Sequence, residues 1–432
     1  MQSADLDPIV RKVWPRIIPL LALALLCNYL DKINVGFAAL QMNAALGLTN
    51  TSFGLAAGCF ALGYAAFAIP STLLLHRYGG PRWIAFLMLA WGLSAAATAF
   101  VTDATSLCIA RFVLGAAEAG FVPGAILYLS SWFPSEHRGR ALGAFLVVQP
   151  LGMAIGGPVS SLIFTIGNAH GLAAWQWLFI LEALPTVLLA GVVLACLPSK
   201  PTEVAWLRPA EKERLGAHLA AEAAAMARDA DGPSSGTFRK GRIWRLAAVN
   251  LLIGTSAIGA IFFLPLIVQS MGFSVVTTGF VAALPSVAAA IALPVWGVWV
   301  DRTARRESVV AVAVGMLIVG LVGTAACLPS ALALLPITIA MVGFSGSLAA
   351  FWTLPSAFLT GAGAAAGLAL INVAGNLGTF AGPSVLGFVT DRSGSYALGL
   401  LTLALLGGLS IVLLLARPAG RRAIPINQMS RG

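Results

Sequence analysis

Long apolar stretches dominate this chain and constrain its fold more than any other feature. Each holds about 20 residues, enough to cross the hydrocarbon core of a bilayer as a helix. Only 10% of the 432 residues are charged, against about 25% in a soluble domain. We therefore predict an all-α integral membrane protein with twelve transmembrane helices, near 17–40, 52–75, 82–102, 105–129, 140–166, 175–197, 245–270, 275–299, 307–328, 332–358, 364–389 and 395–416.

A single long polar segment divides these stretches into two sets of six. We predict an amino-terminal half over 1–197, a cytoplasmic linker over 198–244 and a carboxy-terminal half with its tail over 245–432. In the linker, "RPAEKERLGAHLAAEAAAMARD" is rich in helix-forming residues, so a short surface helix is expected there. The following "DGPSSG" is typical of a flexible break.

The net charge of +10 is explained by membrane topology. Lys32 and Arg111 lie within apolar stretches, whereas the other basic residues lie in the two tails and the even-numbered loops, with Arg392 as the exception. Positively charged loops stay in the cytoplasm, so both termini are predicted to be cytoplasmic. The first 16 residues are polar and indicate no cleavable signal peptide. We expect a multi-pass protein of a bacterial inner membrane, surrounded by lipid and without a nucleic-acid partner.

The two halves carry matching motifs of small residues. The fifth stretch contains Gly152-x-x-x-Gly156-Gly157-Pro158, and the eleventh contains Gly378-x-x-x-Gly382-Pro383. Small residues let membrane helices approach closely, and parallel six-helix repeats are typical of secondary transporters. Chance recurrence of glycine and proline is the alternative. The five cysteines all lie in apolar stretches and indicate neither a disulfide framework nor a metal site.

The loop Asp301-Arg302-x-x-Arg305-Arg306 and the two halves resemble the major facilitator superfamily. Four segments are similar to its anion:cation symporter family, which includes galactonate, phthalate and tartrate permeases and vesicular glutamate transporters. They are "YLDKINVGFA", "FGLAAGCFALGYAAFAIPSTLLLHRYG", "RFVLGAAEAGFVPGAILYLSSWFP" and "GLAAWQWLFILEALP". The resemblance implies transport by alternating access, with Asp301 and Arg302 as gating residues. Lys32 is a departure, because the family has arginine at that position.

Four ionisable residues lie inside predicted membrane helices, where a charge costs about 2.5 kcal/mol or more. Asp31 and Lys32 belong to the first helix, and Arg111 and Glu118 share one face of the fourth. Adjacent helical residues point about 100° apart, so Asp31 and Lys32 are expected to find partners elsewhere. We interpret the two acids as proton-coupling groups and the two cations as ligands of an organic anion. The alternative is that the four charges pair to hold the helices together.

Neutral polar residues extend the predicted substrate site. They could bind substrate hydroxyl groups or wall the cavity, or they could simply make interhelical contacts. They are Tyr64, Gln149, Trp352, Asn372 and Asn376. Asn28, one turn before Asp31, is expected to orient that acid. Glu182 lies near the predicted outer end of the sixth helix and is interpreted as structural.

Other functional classes lack their motifs. None of the lysines follows a glycine, which excludes the phosphate-binding loop of an ATP-driven pump. The histidines are scattered through loops, and neither H-E-x-x-H nor G-x-S-x-G occurs, so no enzyme is predicted. We expect a monomeric, proton-coupled symporter that takes up a small organic anion such as a sugar acid, tartrate-like or aromatic carboxylate. No cofactor or metal is expected, because a proton gradient supplies the energy. An exporter of organic acids or drugs by proton exchange is the alternative.

Overall fold

The computed structural model describes residues 6–229, 241–303, 305–356 and 362–416, and these residues form α-helices joined by short turns and 3₁₀ segments. The helices are α1 Asp7–Ala45, α2 Asn50–Tyr78, α3 Gly80–Ala97, α4 Ala104–Glu118, α5 Phe121–Ser130, α6 Ser135–Leu146, α7 Val148–Phe164, α8 Ala174–Cys196, α9 Pro209–Asp229, α10 Gly241–Gln269, α11 Val275–Arg302, α12 Arg306–Cys327, α13 Leu334–Phe351, α14 Thr353–Ser356, α15 Ala362–Ser393 and α16 Tyr396–Leu415. The predicted all-α architecture is confirmed.

Within the described residues, eleven helical segments are long and apolar enough to cross a membrane, with α4 and α5 forming one span and α6 and α7 another. The remaining predicted span, 364–389, falls within α15, which is not among the eleven. Asn372 and Asn376 reduce the apolar character of this helix. The helix α10 begins at Gly241, ahead of the predicted boundary at 245.

The predicted linker helix is present as α9, and it packs against the amino-terminal half. Lys12 of α1 forms a 2.7 Å ion pair with Glu211, and Arg138 of α6 forms a 2.8 Å ion pair with Glu222. Leu215 of α9 is fully buried. We call this side of the bundle the linker end. The predicted flexible break at 231–236 lies outside the described residues.

The two glycine motifs pack in equivalent ways. In the first half, Gly152 and Gly156 of α7 lie against side chains of α1, Tyr29 and Ile33. In the second half, α15 places Gly378 and Gly382 against the backbone of α10, at Leu251 and Thr255. In both halves, therefore, the glycine-bearing helix packs against the first helix of its own half. This equivalence is what a repeated six-helix unit requires.

Opposite the linker end, α2 and α15 bring the two halves into backbone contact. A Cβ atom on Gly54 would overlap the carbonyl group of Pro383, and one on Gly387 would overlap that of Asn50. Only glycine permits so close an approach of two helix backbones. We call this region, together with Asp391, the closed end.

Asp391, in the last turn of α15, seals the closed end by binding the first turn of α2. Its carboxylate accepts hydrogen bonds from the backbone nitrogens of Asn50 and Thr51, at 3.0 and 2.7 Å, and from the Asn50 side chain at 2.8 Å. An anion at a helix N-terminus is stabilised by unpaired N–H groups and the helix dipole. Partial burial raises the pKa of Asp391, but hydrogen bonds from Thr51 and Asn50 outweigh it and lower the pKa to about 2. The carboxylate thus stays ionised at physiological pH.

No comparable contact joins the halves at the linker end among the described side chains. The predicted gating residues Asp301 and Arg302 are exposed and form no ion pair within the described part of the chain. Arg306 donates to the carbonyl oxygen of Thr353, but this hydrogen bond stays within the carboxy-terminal half. The bundle is therefore sealed at the closed end, and the gating role of Asp301 and Arg302 stays a prediction.

The expectation of no disulfide is wrong. Cys59 of α2 and Cys108 of α4 form a disulfide, with their Cα atoms 5.7 Å apart. The two cysteines are 49 residues apart in sequence, and their spacing alone carries no information about which helices become neighbours.

We expect Asp391→Asn to open the closed end. The variant keeps the side-chain size but loses the charge that three donors share, and charge-assisted hydrogen bonds each contribute about 1.5–3 kcal/mol. The open population should rise at least tenfold, measured as longer electron-spin distances between labels at the exposed positions Ala44 and Ser270. Asp103→Asn is the matched control, because Asp103 caps α4 without bridging the halves. Identical distance distributions for the two variants would contradict this role.

Candidate functional site

The four charged residues predicted from the sequence lie together in the amino-terminal half. Asp31 and Lys32 are in the middle of the long helix α1, and Arg111 and Glu118 are in α4. Asp31, Arg111 and Glu118 are almost fully buried, at 0, 0 and 1% exposure, whereas the Lys32 side chain is 20% exposed. Lys32 is thus the member of the cluster that solvent can reach.

Lys32 is held by a hydrogen-bonded bridge to Glu118. Its ammonium group donates to the Asn28 side-chain oxygen at 2.8 Å and lies 3.5 Å from Glu118 Oε2. Asn28 Nδ2 in turn donates to the same Glu118 oxygen at 2.8 Å. The prediction that Asn28 orients Asp31 is therefore wrong, because residues four apart share a helix face and Asn28 accordingly serves Lys32. The prediction that Lys32 pairs with another helix is confirmed.

Asp31 and Arg111 occupy the buried side of the cluster. Both carboxylate oxygens of Asp31 lack a hydrogen-bond partner among the described residues. Arg111 makes only a long hydrogen bond, 3.4 Å, from Nη1 to the backbone carbonyl of Asp31. Its guanidinium lies 4.9 Å from the centre of the Phe60 ring. Phe60 also lines the open space beside Lys32.

That open space is a cavity with two adjoining compartments, each of about 370 Å³. Such volumes are typical of small-molecule sites. Residues of both halves line it, and Tyr29, Lys32, Phe60, Ile258, Phe344, Leu348 and Thr379 border both compartments. What we call the polar compartment also includes Tyr64, Asn250, Trp352, Asn372 and Asn376. What we call the apolar compartment also includes Gln149, Met153, Ile261, Leu293 and Met341.

The structure brings most of the predicted substrate residues to this cavity. Lys32 lies where the compartments meet, four of the five neutral residues are in the polar compartment, and Gln149 is in the apolar one. Asp31, Arg111 and Glu118 do not line either compartment. Of the two predicted cations, Lys32 lines the cavity, whereas Arg111 is fully buried and does not.

Several lining residues were missed from the sequence. Tyr29, Phe60 and Phe344 belong to apolar helices in which aromatic residues are common, so they carried no distinguishing signal. Asn250 of α10 was detectable as a polar residue within an apolar stretch. It donates through its side chain to the carbonyl oxygen of Ile371 at 2.9 Å.

Glu182 of α8 is a further buried acid, and its charge acts on Asp31 of α1. It is only 4% exposed, and one of its oxygens accepts a 3.0 Å hydrogen bond from Ser160. Its structural role stays a prediction. Within the described ranges, histidine, cysteine and acidic side chains form no group of three that could hold a metal ion.

Comparison with known proteins agrees with this architecture. The family model of the Major Facilitator Superfamily matches residues 21–383 and 246–429. A protein of Agrobacterium vitis named "Putative tartrate transporter" is 39% identical, over 95% of this chain and 91% of its own length. A "Quinolone resistance transporter" of Acinetobacter baumannii is 36% identical, over 93% of each chain.

Among solved structures, a bacterial homologue of the human lysosomal transporter Spinster has a similar fold. That structure is described as inward-facing and unoccupied. Its TM-score is 0.73 at 17% identity, and the match covers 92% of this chain and 95% of that one. From its sequence match and its fold together, the chain belongs to the major facilitator superfamily.

Proposed function

We propose that this chain is a proton-coupled symporter that takes up a small organic carboxylate by alternating access. The observation that carries the proposal is the shared position of Lys32. Its ammonium group lines the cavity and is also 3.5 Å from the buried carboxylate of Glu118. One cation is therefore within reach of both a substrate anion and a group that can bind a proton.

Competition for Lys32 would couple the two ligands. While Glu118 is ionised, it neutralises Lys32 and weakens the attraction for an incoming carboxylate. Protonation of Glu118 removes that competitor and leaves Lys32 available to the substrate. Because binding linkage is reciprocal, a bound anion would in turn favour a proton on Glu118. Asn28, which contacts both groups, would hold them in place through the exchange.

Asp31 is proposed as the second proton-coupling group. Burial without hydrogen-bond partners disfavours the charged form of a carboxylate. Both oxygens of Asp31 lack such partners among the described residues, so taking up a proton would relieve an unfavourable buried charge. Asp31, Lys32, Arg111 and Glu118 sum to zero charge when all are ionised. One proton and one monovalent anion would therefore keep the loaded site neutral.

The remaining predicted residues complete the proposal. Tyr64, Gln149, Asn372 and Asn376 would orient the substrate, and Trp352 would wall the cavity. Arg111, which does not line the cavity, would act as a positioning residue that offsets the charge of the buried acids. We propose that the protein works as a monomer in the inner membrane without a cofactor.

Orientation follows from the charge distribution along the chain. With both termini cytoplasmic, the linker end faces the cytoplasm and the closed end faces outward. The structure would then represent an inward-facing state, sealed outside by the contact of α2 with α15. Asp301 and Arg302 would form the inner latch when the bundle closes on the other side.

The second candidate is an exporter that exchanges protons for organic acids or drugs. The similarity to a protein named for quinolone resistance favours it. Transport into right-side-out membrane vesicles separates the two functions. A symporter accumulates substrate when protons flow inward, whereas an exporter depletes it under the same gradient.

We expect Lys32→Gln to weaken carboxylate binding roughly 10- to 100-fold, because a charge-assisted hydrogen bond contributes about 1.5–3 kcal/mol. Isothermal titration of the purified protein measures the loss. Lys32→Arg should retain binding, since the charge is kept, although a planar fork replaces a point charge. Lys200→Gln, a change at an exposed lysine, is the control. Unchanged affinity in Lys32→Gln would remove this residue from the substrate site.

Neutralising the proton-coupling acids should separate binding from accumulation. We expect Asp31→Asn and Glu118→Gln to lose gradient-driven accumulation in proteoliposomes, because an amide cannot carry a proton. Counterflow without a gradient should persist in Glu118→Gln, since the amide resembles the protonated acid and leaves Lys32 free. Glu136→Gln, which changes an exposed acid outside the cluster, should accumulate substrate normally. Accumulation by both neutralised variants would show that these acids are structural.

A further inference from the structure

From the cavity lining, we infer that the substrate is an aromatic monocarboxylate. The inference rests on the proposed function, because it assumes that the cavity binds a carboxylate. Sugar acids, tartrate-like dicarboxylates and aromatic acids are all compatible with the proposed function, and the inference selects one class among them. Three features of the cavity support it: the single accessible cation among the described lining residues, the aromatic residues that line the cavity, and the hydrogen bonds that several polar side chains already make.

The cavity offers one cation to an anionic ligand. Lys32 is the one basic side chain among the described residues that line the two compartments. Arg111 is 0% exposed and lines neither compartment. A second carboxylate on the ligand would enter this space without a partner, and an unpaired charge in a largely apolar site is strongly unfavourable. The lining therefore favours a monoanion.

Aromatic rings surround the accessible cation. The ammonium group of Lys32 lies 4.9 Å from the ring centre of Tyr29, 5.9 Å from that of Phe60 and 5.5 Å from that of Tyr64. Phe344, in α13 of the carboxy-terminal half, also borders both compartments. Aromatic pairs in offset or edge-to-face contact contribute about 0.5–1.5 kcal/mol beyond the burial of their area. A planar ring attached to the carboxylate would meet such partners on several sides.

Several polar side chains of the cavity already make hydrogen bonds within the protein. Asn376 donates to the side-chain and backbone oxygens of Asn372, at 2.8 and 3.1 Å. The hydroxyl group of Thr379 donates to the carbonyl oxygen of Gly375, and that of Ser345 donates to Val342. Ligand hydroxyl groups that approached these particular side chains would have to displace such bonds or be buried without partners, and either is unfavourable.

Direct binding to the purified protein at acidic pH tests the inference, with five carboxylates compared by calorimetry. Benzoate is the aromatic monocarboxylate, cyclohexanecarboxylate removes the aromaticity, phthalate adds a second charge, and gluconate and tartrate add hydroxyl groups. We expect benzoate to bind at least tenfold more tightly than each of the other four. Tighter or equal binding of any of them overturns the inference but leaves the proposed carboxylate transport intact. Failure of all five to bind would contradict both.

Substitutions of aromatic residues that line the cavity test whether these residues cause the preference for an aromatic ligand. Phe344→Leu and Tyr29→Leu keep an apolar side chain but remove the ring, so each should weaken benzoate binding about fivefold and leave cyclohexanecarboxylate binding unchanged. Phe100→Leu is the matched control, because Phe100 is 64% exposed and distant from the cavity. Equal losses for both ligands, or no loss in either wall variant, would contradict aromatic recognition.

Discussion

Lys32 has two possible partners, and the rest of the site depends on that fact. Its ammonium group is shared between the buried carboxylate of Glu118 and the cavity that separates the two halves. If Lys32 contacted only Glu118, its role would be structural. If it faced only the cavity, it would bind anions whether or not Glu118 carried a proton. Asn28 holds the side chain in the intermediate position that connects the two.

The closed end gives this site its directionality. The backbones of α2 and α15 pack closely at Gly54 and at Gly387. These contacts, together with the carboxylate of Asp391, seal one side of the cavity. Asp391 can bind the N-terminus of α2 only while the two halves are in contact. A seal built from helix-end hydrogen bonds and glycine contacts can separate without unfolding any helix. Alternating access requires closure of this reversible kind.

The sequence predicted the fold because long apolar stretches have few alternatives in a membrane. It also located Asp31, Lys32, Arg111 and Glu118, since an ionisable residue within such a stretch is conspicuous. It could not predict that Asn28 binds Lys32, or that Arg111 packs on the ring of Phe60 and does not line the cavity. Those outcomes depend on how α1, α2 and α4 are rotated about their axes. For the same reason, the disulfide between Cys59 and Cys108 was missed.

Proton uptake during substrate binding tests the central claim most directly. Calorimetric titration of a carboxylate in buffers of different ionisation enthalpy reports the number of protons taken up with each anion. If Glu118 and the substrate compete for Lys32, binding near neutral pH should take up close to one proton, and Glu118→Gln should bind without this uptake. Binding without proton uptake in the unmodified protein would contradict the coupling of Lys32 to Glu118.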